Sequence, residues 1–91
     1  MLILPNYMKR ILIFTGHPCP RCDEAIALLK NKNIEFEERN VWEKKEYAKE
    51  MLQRTNGART IPQIFIKDHY IGSKEELIEA NRTGELDKLL I

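Results

Sequence analysis

The apolar positions at the start of the chain change from a continuous run to a helical spacing. Residues 10–14 form a short apolar run that ends before Gly16, which is typical of a strand buried on both faces. Over residues 21–32 the apolar side chains recur at helical spacing, and Pro20 suits the first turn of a helix. The pattern therefore predicts a buried strand that ends near Thr15, followed by an amphipathic helix.

The middle of the chain continues this alternation of strand and helix. Residues 34–41 begin with alternating apolar and charged side chains, which predicts a second strand with one wet face. Residues 43–54 carry their apolar side chains on one helical stripe, and the Asn-Gly pair at 56–57 follows them as a helix end. We expect Phe36 and Trp42 to lie in the core.

The last third of the chain predicts a hairpin and two helices. Two apolar runs, residues 60–66 and residues 69–71, are separated by a Lys-Asp turn, which is typical of a β-hairpin. Ser73 then precedes a helical segment over residues 74–81, with Glu76 placed to complete a capping box. The leucines near the C-terminus suit a short terminal helix packed on the sheet.

The order of the elements is strand, helix, strand, helix, strand, strand, helix. Two strands joined by a helix are parallel with a right-handed crossover, and a closing hairpin adds an antiparallel pair. The sequence therefore predicts an α/β fold with the thioredoxin-like arrangement. Its mixed four-stranded sheet combines a parallel pair with an antiparallel hairpin and is flanked by helices.

Length and charge exclude several classes of function. The 91 residues suit one domain, and we take residues 1–8 as a short N-terminal extension before a domain over 9–91. Lys and Arg total 15 against 14 for Asp and Glu, so the net charge of +1 predicts no nucleic-acid or membrane partner. The longest apolar runs fall far short of the roughly 20 residues that cross a bilayer. Lys9-Arg10 follow the apolar N-terminal residues, the reverse of signal-peptide order, so we expect a cytoplasmic protein.

The candidate chemistry lies in the only two cysteines, Cys19 and Cys22, at the junction of the first strand and helix. Unpaired N–H groups at a helix N-terminus favour a thiolate, which is the species that attacks disulfides. We expect Cys19, at the helix end and the more exposed of the two, to be the nucleophile. Cys22, the more buried, resolves the mixed disulfide by intramolecular attack. Pro20 fixes a helix-compatible backbone angle, and Arg21 adds positive charge beside the sulfurs.

Two other interpretations of the cysteine pair stay open on the residues alone. A zinc site would recruit His17 and His69 as further ligands, but the spacing matches no finger or ribbon pattern, and we expect no metal. A purely structural disulfide would close so small a loop that it constrains the unfolded chain little. His17 either tunes the pKa of Cys19 or is an ordinary exposed loop residue.

Three separated motifs resemble the glutaredoxin family, and the resemblance covers the chain from about residue 9 to about residue 90. The Cys-Pro-Arg-Cys sequence at residues 19–22 is similar to the dithiol glutaredoxin motif, with arginine where the family usually has an aromatic residue. The segment Thr-Ile-Pro-Gln-Ile-Phe-Ile at residues 60–66 resembles the family's Thr-Val-Pro-Gln-hydrophobic-Phe segment. Residues 71–75, Ile-Gly-Ser-Lys-Glu, resemble the family's Gly-Gly-x-Asp corner, with serine for the second glycine and glutamate for the aspartate.

The resemblance implies a glutathione groove beside the cysteines. It implies a cis peptide bond before Pro62, which leaves the backbone of Ile61 free to pair with an extended peptide such as glutathione. At the third motif, a helix N-terminus and a carboxylate receive the γ-glutamyl group. Gly16 stands where many glutaredoxins have a lysine for the glycyl carboxylate, and we expect Arg21 or Arg59 to supply that charge. The implied glutathione contacts are Arg21, Thr60, Ile61, Pro62, Ser73, Lys74 and Glu75.

The function that the resemblance implies is a glutathione-dependent thiol–disulfide oxidoreductase. It would reduce protein disulfides or glutathione mixed disulfides as a monomer, with glutathione as co-substrate and no bound cofactor. One alternative is a redoxin of the same fold that takes electrons from thioredoxin reductase and serves ribonucleotide reductase. A second alternative is a module that binds an iron–sulfur cluster between two protomers through Cys19 and glutathione, which Pro20 disfavours by stiffening the loop.

Overall fold

The computed structural model describes residues 10–91, and the predicted extension over residues 1–8 lies outside this range. Within it, strands and helices follow one another in the order that the sequence predicts. They are β1 Ile11–Thr15, α1 Pro20–Asn31, β2 Phe36–Asn40, α2 Lys45–Arg54, β3 Gln63–Ile66, β4 His69–Gly72, α3 Lys74–Thr83 and α4 Glu85–Leu89. None of these helices is both long enough and apolar enough to cross a membrane.

The four strands form one mixed sheet in the order β2-β1-β3-β4. The strands β1 and β2 are parallel, with Ile11 opposite Phe36, as expected for two strands joined by a helix. The strand β3 runs antiparallel to both β1 and β4. The predicted thioredoxin-like arrangement is therefore confirmed. In this order the loop after β1, the turn after β2 and the segment before β3 all lie at the same edge of the sheet.

The first helix ends in a way that delays the start of β2. Asn33 adopts a left-handed conformation with φ of 57°, and the N–H of Ile34 donates to the carbonyl of Leu29 at 2.9 Å. This bond satisfies one of the last carbonyls of α1, as in a Schellman motif. Because the N–H of Ile34 closes the helix, the strand begins at Phe36 rather than at residue 34 as predicted.

Two other boundaries differ from the sequence prediction for similar local reasons. The N–H of Glu43 donates to the carbonyl of Asn40 at 3.1 Å in a turn, so α2 starts at Lys45 rather than at residue 43. The strand β3 starts at Gln63 rather than at residue 60, because Pro62 has no N–H with which to continue the ladder.

Helices pack on both faces of the sheet, and the side chains of β1 alternate between them. One core contains Ile11 and Ile13 of β1 with residues of β3, α1, α3 and α4. The other contains Phe14 with Met51 of α2 and Phe65 of β3. Because β1 is buried on both faces, it places the loop that follows it against a rigid support.

One core prediction is wrong. Trp42 is 60% exposed, whereas Phe36 is half-buried and packs against the first core. The physical reason is that β2 ends at Asn40, and the N–H of Trp42 donates to the side-chain oxygen of Asn40 at 2.9 Å in the following turn. This turn takes Trp42 out of the strand before its side chain can enter the core.

Candidate redox site

The N-terminus of α1 is capped by a sulfur atom. Cys19 is the N-cap residue, in an extended conformation, and its Sγ accepts a hydrogen bond from the N–H of Cys22 at 3.1 Å. The carbonyl of Cys19 accepts from the N–H of Asp23 at 3.0 Å. Pro20 occupies the first helical position, where the missing N–H costs nothing. The Cys-x-x-Cys spacing therefore places the first sulfur where serine or aspartate commonly caps a helix.

Cys19 and Cys22 are joined in a disulfide, with their Cα atoms 5.2 Å apart. The exposed fraction is 7% for Cys19 and 1% for Cys22, so the predicted order of burial is confirmed. Cys19 is nevertheless buried as well. The reason is that its Sγ is bonded to Cys22 and also accepts the N–H of Cys22, so it faces the first turn of α1.

The segment before β3, residues 60–62, forms a wall of the site beside the cysteine loop, at the same edge of the sheet. The peptide bond between Ile61 and Pro62 is cis, as the resemblance implies. The amide nitrogen of the buried Gln63 side chain donates to the carbonyl of Thr60 at 2.9 Å and lies 3.1 Å from its Oγ1. Within residues 10–91 the backbone N–H and carbonyl of Ile61 have no hydrogen-bond partner. These groups are available to an extended peptide.

Gly16 lies at the contact between this wall and the cysteine loop. A Cβ added at Gly16 would lie 2.6 Å from Ile61 Cδ1 and 2.8 Å from Trp42 Cδ2. A side chain larger than hydrogen would therefore displace Ile61 or Trp42. Gly16 precedes Cys19 by three residues, so Ile61 and Trp42 both border the loop that carries the first cysteine.

The start of α3 forms the third part of the site. The predicted capping box is confirmed, because the N–H of Ser73 donates to Glu76 Oε1 at 2.7 Å and Ser73 caps the third residue of the helix. Glu75 accepts two hydrogen bonds from the guanidinium of Arg21, at 2.6 and 2.7 Å. Lys74 Nζ donates to Glu24 at 2.7 Å. Two ion pairs thus join the N-terminal parts of α1 and α3, and the Arg21–Glu75 pair brings the first and third motifs together.

This contact also makes the Glu75 carboxyl more acidic. The pKa of the Glu75 carboxyl is lowered from 4.5 to about 2, mainly because it accepts the Arg21 hydrogen bonds and also because it accepts from Ser73. The pKa of Arg21 is raised by the same hydrogen bonds. Arg21 is therefore held at the α3 corner, not at the position of Gly16, where the sequence analysis placed a charge for the glycyl carboxylate.

The two histidines do not join the cysteines in a cluster. His17 is exposed in the loop before Cys19, and its peptide bond to Pro18 is also cis, which the sequence analysis did not anticipate. His69 is an exposed residue of the edge strand β4. In the part of the chain that the structure describes, no group of three or more His, Cys, Asp or Glu residues is placed to hold a metal ion.

A comparison with protein-family models matches residues 11–71 to the glutaredoxin model. The chain belongs to the glutaredoxin family. Among its relatives, a Synechocystis protein named as a probable glutaredoxin is 42% identical over 89% of this chain and 92% of its own length. Glutaredoxin 3 of Escherichia coli is 37% identical over 91% of this chain and 99% of its own length. The solution structure of a Brucella melitensis glutaredoxin has a TM-score of 0.76 and 37% identity, with 94% of this chain and 92% of that chain covered.

Membership in the family establishes the class of chemistry. This glutaredoxin is a thiol–disulfide oxidoreductase, and the disulfide between Cys19 and Cys22 is its redox-active pair. Both cysteines and the three motifs around them are evident in the sequence. The contact of Arg21 with Glu75 and the position of Trp42 beside Gly16 are not, because no local spacing connects residues so far apart.

Proposed function

We propose that this glutaredoxin is a glutathione-dependent oxidoreductase that reduces protein disulfides or glutathione mixed disulfides. The observation that supports this proposal best is the paired hydrogen bonding of Arg21 with Glu75, which places the α3 corner beside the cysteine motif. The cysteines, the free backbone of Ile61 and the start of α3 then border one site, at which we propose that the tripeptide binds.

The reaction is a pair of thiol–disulfide exchanges. The Cys19 thiolate attacks one sulfur of the substrate disulfide, a mixed disulfide forms, and the other substrate sulfur leaves as a thiolate that takes a proton from solvent. The thiolate of Cys22 or of glutathione then attacks the Cys19 sulfur and releases the second substrate thiol. On either route two molecules of glutathione are consumed in total. Both reduce the disulfide between Cys19 and Cys22, or the first releases the substrate thiol and the second frees Cys19. They leave as glutathione disulfide, so two electrons pass from glutathione to the substrate.

The proposed glutathione contacts follow from the charges of the ligand. The γ-glutamyl group carries an ammonium and a carboxylate on one carbon atom, and Glu75 and Arg21 present the two complementary charges side by side. The backbone at the start of α3, at Ser73 and Lys74, adds the positive end of the helix dipole for the same carboxylate. The backbone of Ile61 pairs with the cysteinyl residue of the tripeptide.

The remaining proposed contacts shape this wall rather than carry charge. Thr60 and Pro62 flank Ile61, and Thr60 is held in place by the buried side chain of Gln63.

We propose that glutathione serves as a co-substrate in a protein with no bound cofactor. We also propose that the protein acts as a monomer in the cytoplasm, which sedimentation analysis and cell fractionation would test.

A second candidate has one observation in its favour. Arg21 and Glu75 already neutralise each other, so both lose a partner when a ligand binds between them. A redoxin that is reduced by thioredoxin reductase and serves ribonucleotide reductase needs no such ligand. For this candidate the ion pair has only a positional role.

A coupled assay distinguishes the two candidates. The oxidised protein is mixed with NADPH and either glutathione with glutathione reductase or thioredoxin reductase alone, and NADPH consumption is followed during reduction of a small disulfide. We expect turnover with the glutathione system only, and a Cys19→Ser variant as a control should show none. Turnover with thioredoxin reductase alone would overturn glutathione dependence and favour the second candidate.

A further inference from the structure

The single tryptophan of the chain lies on the surface at the redox site. Trp42 is 60% exposed, whereas Ile61, which packs against the same glycine, Gly16, is half-buried. Exposing so much apolar ring surface to water is unfavourable. Tryptophan is also among the residues most enriched at the energetic centres of protein interfaces. An exposed tryptophan close to the cysteines is therefore a candidate contact for a protein substrate.

The sheet topology places Trp42 and the cysteines at the same edge. The parallel strands β1 and β2 end side by side, and the N–H of Val41 donates to the carbonyl of Thr15 at 2.8 Å. One residue further along each chain segment are Gly16 and Trp42. The antiparallel strand β3 begins at this edge as well, directly after the Ile61-Pro62 pair.

Gly16 is the residue that lets the ring approach. An added Cβ would lie 2.8 Å from Trp42 Cδ2 and 2.9 Å from Trp42 Cε2, closer than real Cβ contacts occur. The same Cβ would lie 2.6 Å from Ile61 Cδ1. The indole therefore packs over the glycine beside Ile61 while much of the ring remains in solvent. Two apolar side chains and one unpaired backbone segment then form a continuous surface next to the cysteine loop.

We propose that Trp42 and Ile61 form a docking surface for the segment that flanks the disulfide of a protein substrate, and that this surface prefers a large apolar or aromatic side chain next to the substrate cysteine. A substrate must bring its sulfur to Cys19, so the residues on either side of that sulfur meet the surface around the cysteine loop. The free backbone groups of Ile61 hold such a segment in an extended conformation, in which neighbouring side chains point in alternate directions. A side chain that reaches Trp42 gains an aromatic contact that a small polar residue does not.

This inference rests on the thiol–disulfide exchange activity of the family and not on the proposed glutathione dependence. The test therefore uses the reduced protein alone, in a single turnover without glutathione. Cys19 attacks one sulfur of a symmetric peptide disulfide and releases the first peptide thiol. Cys22 then attacks Cys19 and releases the second, so the peptide disulfide gains the two electrons that the protein dithiol loses.

The two substrates are the disulfide-linked dimers of acetyl-Phe-Cys-Phe-amide and acetyl-Ser-Cys-Ser-amide. Flanking residues on both sides make the result independent of the direction in which the peptide lies. The second-order rate constant is measured by chromatography of the released thiol peptide, and each value is divided by the rate with dithiothreitol, which corrects for intrinsic reactivity. We expect the wild type to prefer the phenylalanine peptide by about three- to tenfold, the range for one aromatic contact.

Matched variants decide whether Trp42 causes the preference. In Trp42→Ala the ratio of the two corrected rates should fall to near one, and Trp42→Phe should retain most of it. Ile78→Ala removes another exposed apolar side chain, 44% exposed on α3, and should keep the wild-type ratio.

A ratio near one in the wild type, or an unchanged ratio in Trp42→Ala, would overturn the docking surface. So would a wild-type dimer that becomes monomeric in Trp42→Ala, since Trp42 would then face a second copy of the chain. Failure to reduce either peptide would instead count against the exchange activity itself.

Discussion

Arg21 and Glu75 are joined by two hydrogen bonds, of 2.7 and 2.6 Å, between residues 54 positions apart in the chain. The guanidinium belongs to the cysteine motif, and the carboxylate belongs to the first turn of α3. Both side chains are about half exposed, so the pair adds little to the free energy of unfolding. Its main effect is on geometry. It holds the ends of two helices together at the redox site.

The Arg21→Ala variant should raise the pKa of Glu75. The carboxyl titrates at about 2 in the wild type and should return toward 4.5 when its main hydrogen-bond donor is lost. Because the folded pKa lies below the unfolded value, the pair stabilises the protein above the unfolded pKa, and this contribution is lost as the pH falls through the folded pKa. Carbon-13 NMR of the glutamate carboxyls measures the shift. Arg82→Ala, which breaks the Glu79 pair on the same helix, is the control and should leave Glu75 unchanged.

The Glu75→Gln variant should weaken glutathione binding without weakening the exchange chemistry. Glutamine keeps the size of the side chain but removes the charge that faces the γ-glutamyl ammonium. We expect the KM for glutathione to rise by about three- to tenfold, below the usual effect of losing a hydrogen bond to a charged group, because the site is exposed to solvent. The kcat should stay within about twofold, since no bond to the reacting sulfur changes. An unchanged KM would remove Glu75 from the glutathione site.

The thiol of Cys19 should ionise below the ordinary pKa of cysteine. In the reduced protein the Cys22 N–H and the end of α1 both favour the thiolate at the N-cap position. We expect the iodoacetamide reaction of a Cys22→Ser variant to show an apparent pKa between roughly 3.5 and 7.5, against about 8.5 for a free cysteine. The Cys19→Ser variant, which retains the more buried Cys22, should react slowly over the same pH range. A midpoint near the free value would contradict thiolate stabilisation by the helix.

The Gln63→Leu variant should loosen the wall at Ile61. The buried Gln63 amide donates to Thr60 and accepts from the Tyr70 hydroxyl, so leucine leaves both of those groups without this partner. We expect a loss of about 1–3 kcal/mol in the free energy of unfolding, measured by urea denaturation, together with a higher KM for glutathione. Tyr70→Phe, which removes only the second bond, should cost about 0.5–1.5 kcal/mol and leave that KM unchanged. Equal effects of the two variants on KM would argue against a role for Gln63 in positioning Thr60 and Ile61.

The features that could be predicted from the sequence are the ones that depend on neighbouring residues. The order of strands and helices follows from apolar periodicity, and the capping box at Ser73 follows from a spacing of three residues. The redox pair is equally local, because Cys19 and Cys22 lie within one turn of the same helix. The cis bond at Pro62 came from family resemblance and not from any local pattern.

The sequence by itself thus determined the chemistry of the two cysteines and the class of fold that carries them. The tertiary structure alone decided that Arg21 meets Glu75, that Trp42 stays in solvent over Gly16, and that Cys19 is buried together with Cys22. The physical reason is that periodicity and capping act over a few residues. Contacts between elements depend on the register of the sheet and on how the helices pack against it, which no short segment encodes.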